Sequence, residues 1–155
     1  MSSDCLVLYS SDNDDLPTFQ QATAQQVIDQ AVTDNQLPPC ILSVLFVDDR
    51  QAAALHDEHF GDPTTTDVMS FPDGSTDPDT GRVQLGDLAV CVDVAERQAR
   101  LRGVSTSDEL ILYLVHGLLH LLGYDDQTDE DRTEMWQEQR RLLLPVHIDP
   151  GSADD

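Results

Sequence analysis

Two histidines four residues apart, His116 and His120, are the first chemical signal in the 155-residue chain. On a helix with 3.6 residues per turn they lie about 40° apart around the axis, so both imidazoles leave from one face. The stretch from Leu110 to Leu122 is apolar in nearly every direction, which predicts a buried helix rather than an amphipathic one. A buried imidazole needs partners for its nitrogens, and a divalent metal ion supplies one. Zinc takes neutral histidine and is commonly held by two histidines of one helix and a third ligand beyond its end. In catalytic sites its fourth position stays open. Past His120 the chain reads Leu121-Leu122-Gly123-Tyr124-Asp125-Asp126, where the glycine lets the backbone leave the helix and turn back. A carboxylate there completes three ligands. Spacing alone leaves open which aspartate it is, and satisfied core histidines remain the plainer alternative.

The elements that must position these groups follow from periodicity and punctuation. Leu6 to Tyr9 and Ile41 to Val47 are apolar runs suited to strands. Between them Phe19, Ala22, Val27, Ile28 and Ala31 recur at helical intervals over Leu16 to Asn35, halted by Pro38-Pro39. Asp48 or Asp49 can cap a helix through Ala52, Ala53 and Leu55, and Thr66 to Phe71 reads as a strand. Pro72 to Arg82 is a loop by composition, and Val83 to Val92 resumes a strand. Asp93 is a candidate cap for a helix to Arg102. Thr106 with Glu109 has the form of a capping box opening the histidine helix, and Thr128-x-x-Asp131 opens the last one. The order predicts an α+β fold, a small mixed β-sheet of about four strands packed with about five helices, the metal site on a buried central helix. One domain over residues 1–144 and a C-terminal tail over 145–155 are expected.

Composition bounds the function classes. All eight cationic side chains are arginine, against 30 Asp+Glu, for a formal charge of −22. At 39% hydrophobic the chain can bury a core, which excludes disorder throughout. No run approaches the ~20 apolar residues of a membrane span, and the opening lacks the basic start of a secretory signal, so a cytoplasmic protein with no membrane partner is expected. A field this negative opposes nucleic-acid phosphates at long range, and its plain reading is a solvation habit of the surface. Cys5, Cys40 and Cys91 form no C-x-x-C pair and read as reduced core residues, which excludes a disulfide frame or thiolate zinc knuckle.

His116-Gly-Leu-Leu-His120-Leu-Leu-Gly-Tyr-Asp-Asp126 resembles the H-G-x-L-H-L-x-G-Y-D-H signature of the YbeY family, zinc-dependent single-strand-specific endoribonucleases of ribosomal RNA maturation. Thr66-Asp-Val-Met-Ser-Phe-Pro72 is similar to the family's T-[DN]-V-[LI]-S-F-P strand, and Leu85-Gly-Asp-Leu-Ala-Val-Cys91 to its L-G-D-I-x-I-[CS]. The resemblance implies a metal site of His116, His120 and Asp126 holding one zinc ion. It also implies single-stranded or ribosomal RNA and the ribosome as partners rather than DNA, with roles in 16S rRNA 3′ end processing and ribosome quality control. Asp126 stands where the family has a third histidine. A carboxylate also binds zinc but lowers the charge of the site and suits other divalent metals as well. Phe60 stands where the family shows an arginine implicated in activity.

Two other readings compete. A metallopeptidase H-E-x-x-H-x-x-G-x-x-[HD] has the same spacing, but the place of its glutamate base holds Gly117, which transfers no proton. A zinc-stabilised ribosome-associated binding module is the non-enzymatic alternative. Arg97, Arg100, Arg102, Arg82, Arg140 and Arg141 are candidates for RNA contact, against the plainer reading of surface charges balancing nearby acids. Ser70 and Phe71 could line a cleft, with Phe71 equally suited to the core, and His59 could approach it. His56 and His147 read as surface residues, Asp125 as a turn or cap residue, and Asp87 as a partner for a ligating histidine.

Overall fold

A computed structural model describes residues 4–13 and 15–152. Four strands, β1 (Cys5–Ser11), β2 (Cys40–Val47), β3 (Val68–Pro72) and β4 (Val83–Cys91), form one sheet in the order β1-β2-β4-β3. β1, β2 and β4 run parallel, and β3 pairs antiparallel with β4 at the edge, so the sheet is mixed. Among the described residues five α-helices accompany it, α1 (Gln21–Asp34), α2 (Asp49–Phe60), α3 (Val92–Arg102), α4 (Thr106–Leu121) and α5 (Asp129–Leu143), with a short 3-10 turn at Leu144–Val146. The α+β expectation holds, with the histidines on the most deeply buried helix.

Strand alternation divides the core. Leu42, Val44 and Phe46 of β2 and Leu88 and Val90 of β4 join the large apolar cluster with α1, α4 and α5. The opposite-facing Leu45 and Val47, with Ala89 and Cys91, meet Ala52 of α2 and Met69 of β3 in a smaller cluster. Helix α4 is thus enclosed by sheet and helices, and ten of its sixteen residues are buried. It can approach the sheet this closely because position 117 lacks a side chain. A Cβ there would lie 2.8 Å from Leu88 Cδ2 and 3.1 Å from Val68 Cγ2.

Several boundaries differ from the sequence reading. α1 starts at Gln21, because Phe19 instead packs edge-on against Tyr9 and Phe46, with ring centroids 5.2 and 5.5 Å away. Asp48 caps α2 in a full capping box with Gln51. Asp93 lies inside the first turn of α3 and accepts the Asp49 N–H at 2.9 Å, so it caps nothing on its own helix. Ser105, not Thr106, caps α4, accepting from Asp108 N at 3.0 Å. Glu109 cannot close the expected box because it is buried and bound to Arg102. Thr128 caps α5 as expected. Of the segment 145–155, expected as a tail, the described part to Ser152 turns back over α5, and 153–155 lie outside the described residues. Ile148 is buried, and the carbonyls of Pro150 and Gly151 accept from Gln139 Nε2 and Trp136 Nε1. The three cysteines are free and buried.

Candidate metal centre and its cleft

The helical repeat of α4 places His116 and His120 with ring centroids 4.8 Å apart and planes at 81°. Beyond the helix, Gly123 takes φ +102°, a left-handed conformation that side chains disfavour, and there the chain reverses. Its N–H bonds to His120 O, and that of Tyr124 to Leu119 O. The reversal brings Asp126 Oδ2 to 3.6 Å from His120 Nε2. One ligand atom from each of His116, His120 and Asp126 lies within 4.8 Å of the others, so the group could hold a metal ion. Two donors at zinc distance on a tetrahedral ion sit about 3.4 Å apart, close to the spacing seen between His120 and Asp126. Asp125 is used locally instead, its Oδ1 accepting the Asp126 N–H at 2.7 Å.

The tautomer of His116 follows from its neighbours. Gln139 Nε2 donates to Pro150 O, which can only accept, at 2.8 Å. The other end of the amide, Oε1, is therefore an acceptor, and it lies 2.8 Å from His116 Nδ1. The ring proton sits on Nδ1, leaving the Nε2 lone pair for a cation. A carbonyl oxygen behind a ligating imidazole is the usual orienting arrangement of metal-binding histidines. Burial first, then the neighbouring His116, hold His120 below the ordinary histidine range against the opposing pull of Asp126. A neutral ring is the form that binds metal. The donor set and its spacing fit a divalent ion.

From this group a cleft of about 850 Å³ opens between α3, α4, α5 and the loop before β3. Of the sequence candidates, His116, Asp126, Arg97 and Arg102 line it. Arg100 does not. Arg82 bonds to the carbonyls of Asp4 and Cys40, Arg141 pairs with Asp34 and Glu138, and Arg140 lies 6.0 Å over the Trp136 ring. Ser70 donates to Gly117 O at 3.0 Å, fastening β3 to α4, and Phe71 packs with the smaller core cluster. Asp87 is exposed on β4, and the role of orienting a histidine belongs to Gln139. Phe60 is 57% exposed and stacks near Phe71, centroids 6.3 Å apart, away from the cleft lining. His59 is 4.8 Å from the same ring. His147 is exposed.

Sequence reasoning missed Gln139 and Arg132. Gln139 stands four residues after Met135 and three before Leu142, the lone polar member of the buried stripe of α5. That position was a readable signal. Arg132 Nη1 donates to the backbone carbonyl of Asp126 at 3.3 Å, directly beside the candidate ligand. The peptidase alternative fails a second time here, because position 117 faces Leu88 and Val68 and could not aim a base at the metal group.

The fold and site define an α+β protein in which two histidines of the central helix and an aspartate just beyond its end form a group that could hold a metal ion. Residues 9–147 match the family model described as Endoribonuclease YbeY, and the chain belongs to that family. It is 42% identical over 128 residues to an Endoribonuclease YbeY of Beutenbergia cavernae, covering 79% of this chain and 83% of that protein. To one from an Arthrobacter species it is 47% identical over 111 residues, 68% of this chain and 71% of that one. The solution structure of a Thermotoga maritima protein shares the fold with a TM-score of 0.57 at 18% identity, covering 97% of this chain and 96% of that one.

Proposed function

We propose that this protein is a metal-dependent, single-strand-specific endoribonuclease of the cytoplasm. Its role would be ribosomal RNA maturation at the ribosome, including 16S rRNA 3′ end processing and quality control, with zinc as its metal. The observation that carries this reading is the convergence of His116, His120 and Asp126, the first and last of which line a cleft, in a chain of this family. His116 and His120 would hold the ion through imidazole nitrogens and Asp126 through a carboxylate oxygen. An ion so held supplies Lewis-acid stabilisation of the charge that develops on a phosphoryl group. Gln139 keeps the His116 proton on Nδ1 and fixes the ring plane. Gly117 provides no base, so proton transfer must come from elsewhere in the cleft.

Metal analysis of the purified protein, paired with cleavage of single-stranded RNA with and without chelator, tests the reading. Replacing both histidines with alanine should remove metal and cutting together, and full metal content in that variant would overturn the site. Asp126→Asn should weaken metal binding while Asp125→Asn changes it little, because Asp126 Oδ2 lies 3.6 Å from His120 Nε2 whereas Asp125 Oδ1 accepts a backbone N–H. The reverse order would transfer the ligand role to Asp125. A fully metallated protein that cuts no RNA would leave a metal-stabilised binding module in place of the enzyme.

A further inference from the structure

How a chain of charge −22 holds RNA is answered by the lining of the cleft, on the endoribonuclease reading above. Among the described residues three arginines line it, Arg97, Arg102 and Arg132, and three carboxylates, Asp67, Glu109 and Asp126, in a chain with eight cationic side chains and thirty acidic ones. Against an otherwise acidic surface this is a strip of balanced charge, and a divalent ion at the candidate centre would turn it positive. A phosphate backbone meets the least repulsion along it.

The three arginines are not equivalent. The Arg102 side chain is 19% exposed and is held by Glu109, 3% exposed, and by Asp149 at 2.9 Å. Withdrawing it would strand a buried carboxylate, so it is a structural tie. Arg97 on α3 is 48% exposed and forks onto the Asp49 carboxylate, itself 43% exposed, at 2.6 and 2.8 Å. Arg132 on α5 is 39% exposed and pairs with Asp129, 96% exposed. Pairs this exposed contribute little to stability, so a phosphate can replace the carboxylate at small cost. The planar fork that binds carboxylate in two places binds phosphate the same way. The two residues stand on separate walls of the cleft, and Arg132 touches the backbone of Asp126.

We propose that Arg97 and Arg132 exchange Asp49 and Asp129 for phosphate groups of single-stranded RNA, laying the strand across the cleft past Asp126. Trp136, the only tryptophan of the chain, lines the same cleft and reports on its occupancy. The test measures binding of a fluorescently labelled single-stranded oligouridylate by anisotropy at graded salt, with chelator present so that the strand stays intact. Arg97→Ala and Arg132→Ala should each weaken binding roughly tenfold at low salt and reduce the slope of log affinity against log salt by about 0.7. Arg97→Lys and Arg132→Lys should restore the slope but only part of the affinity, since the charge returns without the fork. Arg100→Ala makes the same charge change on exposed α3 outside the cleft and should alter neither quantity. Trp136 emission should change in step with the anisotropy. Equal losses in the Arg97, Arg132 and Arg100 variants, or binding with unaltered Trp136 emission, would overturn the proposal. A wild-type chain that neither binds the strand nor, with metal restored, cuts it would instead overturn the endoribonuclease activity on which the proposal rests.

Discussion

With Nδ1 of His116 committed to Gln139, only Nε2 is free to meet a cation, and the direction of that lone pair is set by a residue on another helix. Gln139→Leu keeps the volume and removes the acceptor. The ring then loses both its fixed tautomer and its fixed plane, and metal affinity should fall 10- to 100-fold, roughly the range for orienting partners of ligating histidines. Competition against a chromophoric chelator measures this, and an unchanged affinity would show that Gln139 does not orient the ligand. The contrast between the ligand group and Gln139 shows what a sequence can disclose about a site. His116, His120 and Asp126 lie within ten residues, so helical periodicity and one glycine bring them together with no knowledge of tertiary structure. Gln139 lies 23 residues from His116, and only the packing of α5 on α4 brings the two together. Arg132 is a nearer case, six residues past Asp126 in the first turns of α5, where the legible Thr128 cap fixes the helix but not which carbonyl its side chain meets.

The same limit governs the elements. Their number and order follow from apolar periodicity, but their ends depend on competition among polar side chains. Ser105 and Thr106 are both competent caps, and the choice falls to Ser105 because Glu109, the expected partner of Thr106, is drawn into the core by Arg102. Burial raises the Glu109 pKa, while hydrogen bonding from Tyr113 and the charge of Arg102 pull it back. Close approach of elements was likewise hidden. Gly117 looked like the absence of a catalytic base, whereas its positive role is to admit the sheet. Gly117→Ala would gain about 1 kcal/mol of helix propensity, yet its methyl group would sit inside contact distance of Leu88 and Val68. Overpacking of this kind costs about 1–3 kcal/mol, so a net loss of roughly 1 kcal/mol is expected. Thermal unfolding should fall by roughly 2–4 °C for a chain of this size. A rise would mean that Leu88 swings aside freely, and the contact would then not set the spacing between α4 and the sheet.

For the whole molecule, the order β1-β2-β4-β3 is the feature least legible in the chain, because strand neighbours are chosen by packing between distant segments. Charge, by contrast, is fully legible, yet composition by itself argued against RNA. The arrangement eases the conflict, since among the described residues the cleft is lined by three arginines and three carboxylates, in a chain that has eight cationic side chains against thirty acidic ones. Two opposite salt responses follow from one charge distribution. Repulsion among thirty carboxylates opposes the compact state, and screening at a Debye length of about 3 Å in molar salt removes most of it. Raising salt from a few millimolar to that level should therefore stabilise the fold by about 1–2 kcal/mol, a rise of roughly 3–8 °C in the thermal midpoint. Over the same range strand binding should weaken, because each phosphate gripped by arginine releases counterions into a bath that is already full of them. Thermal melts and binding isotherms on one preparation check both. If the midpoint falls with salt, local ion pairs such as Asp34–Arg141 outweigh the long-range repulsion, and the acidic surface is a network of bonds rather than a repelling shell.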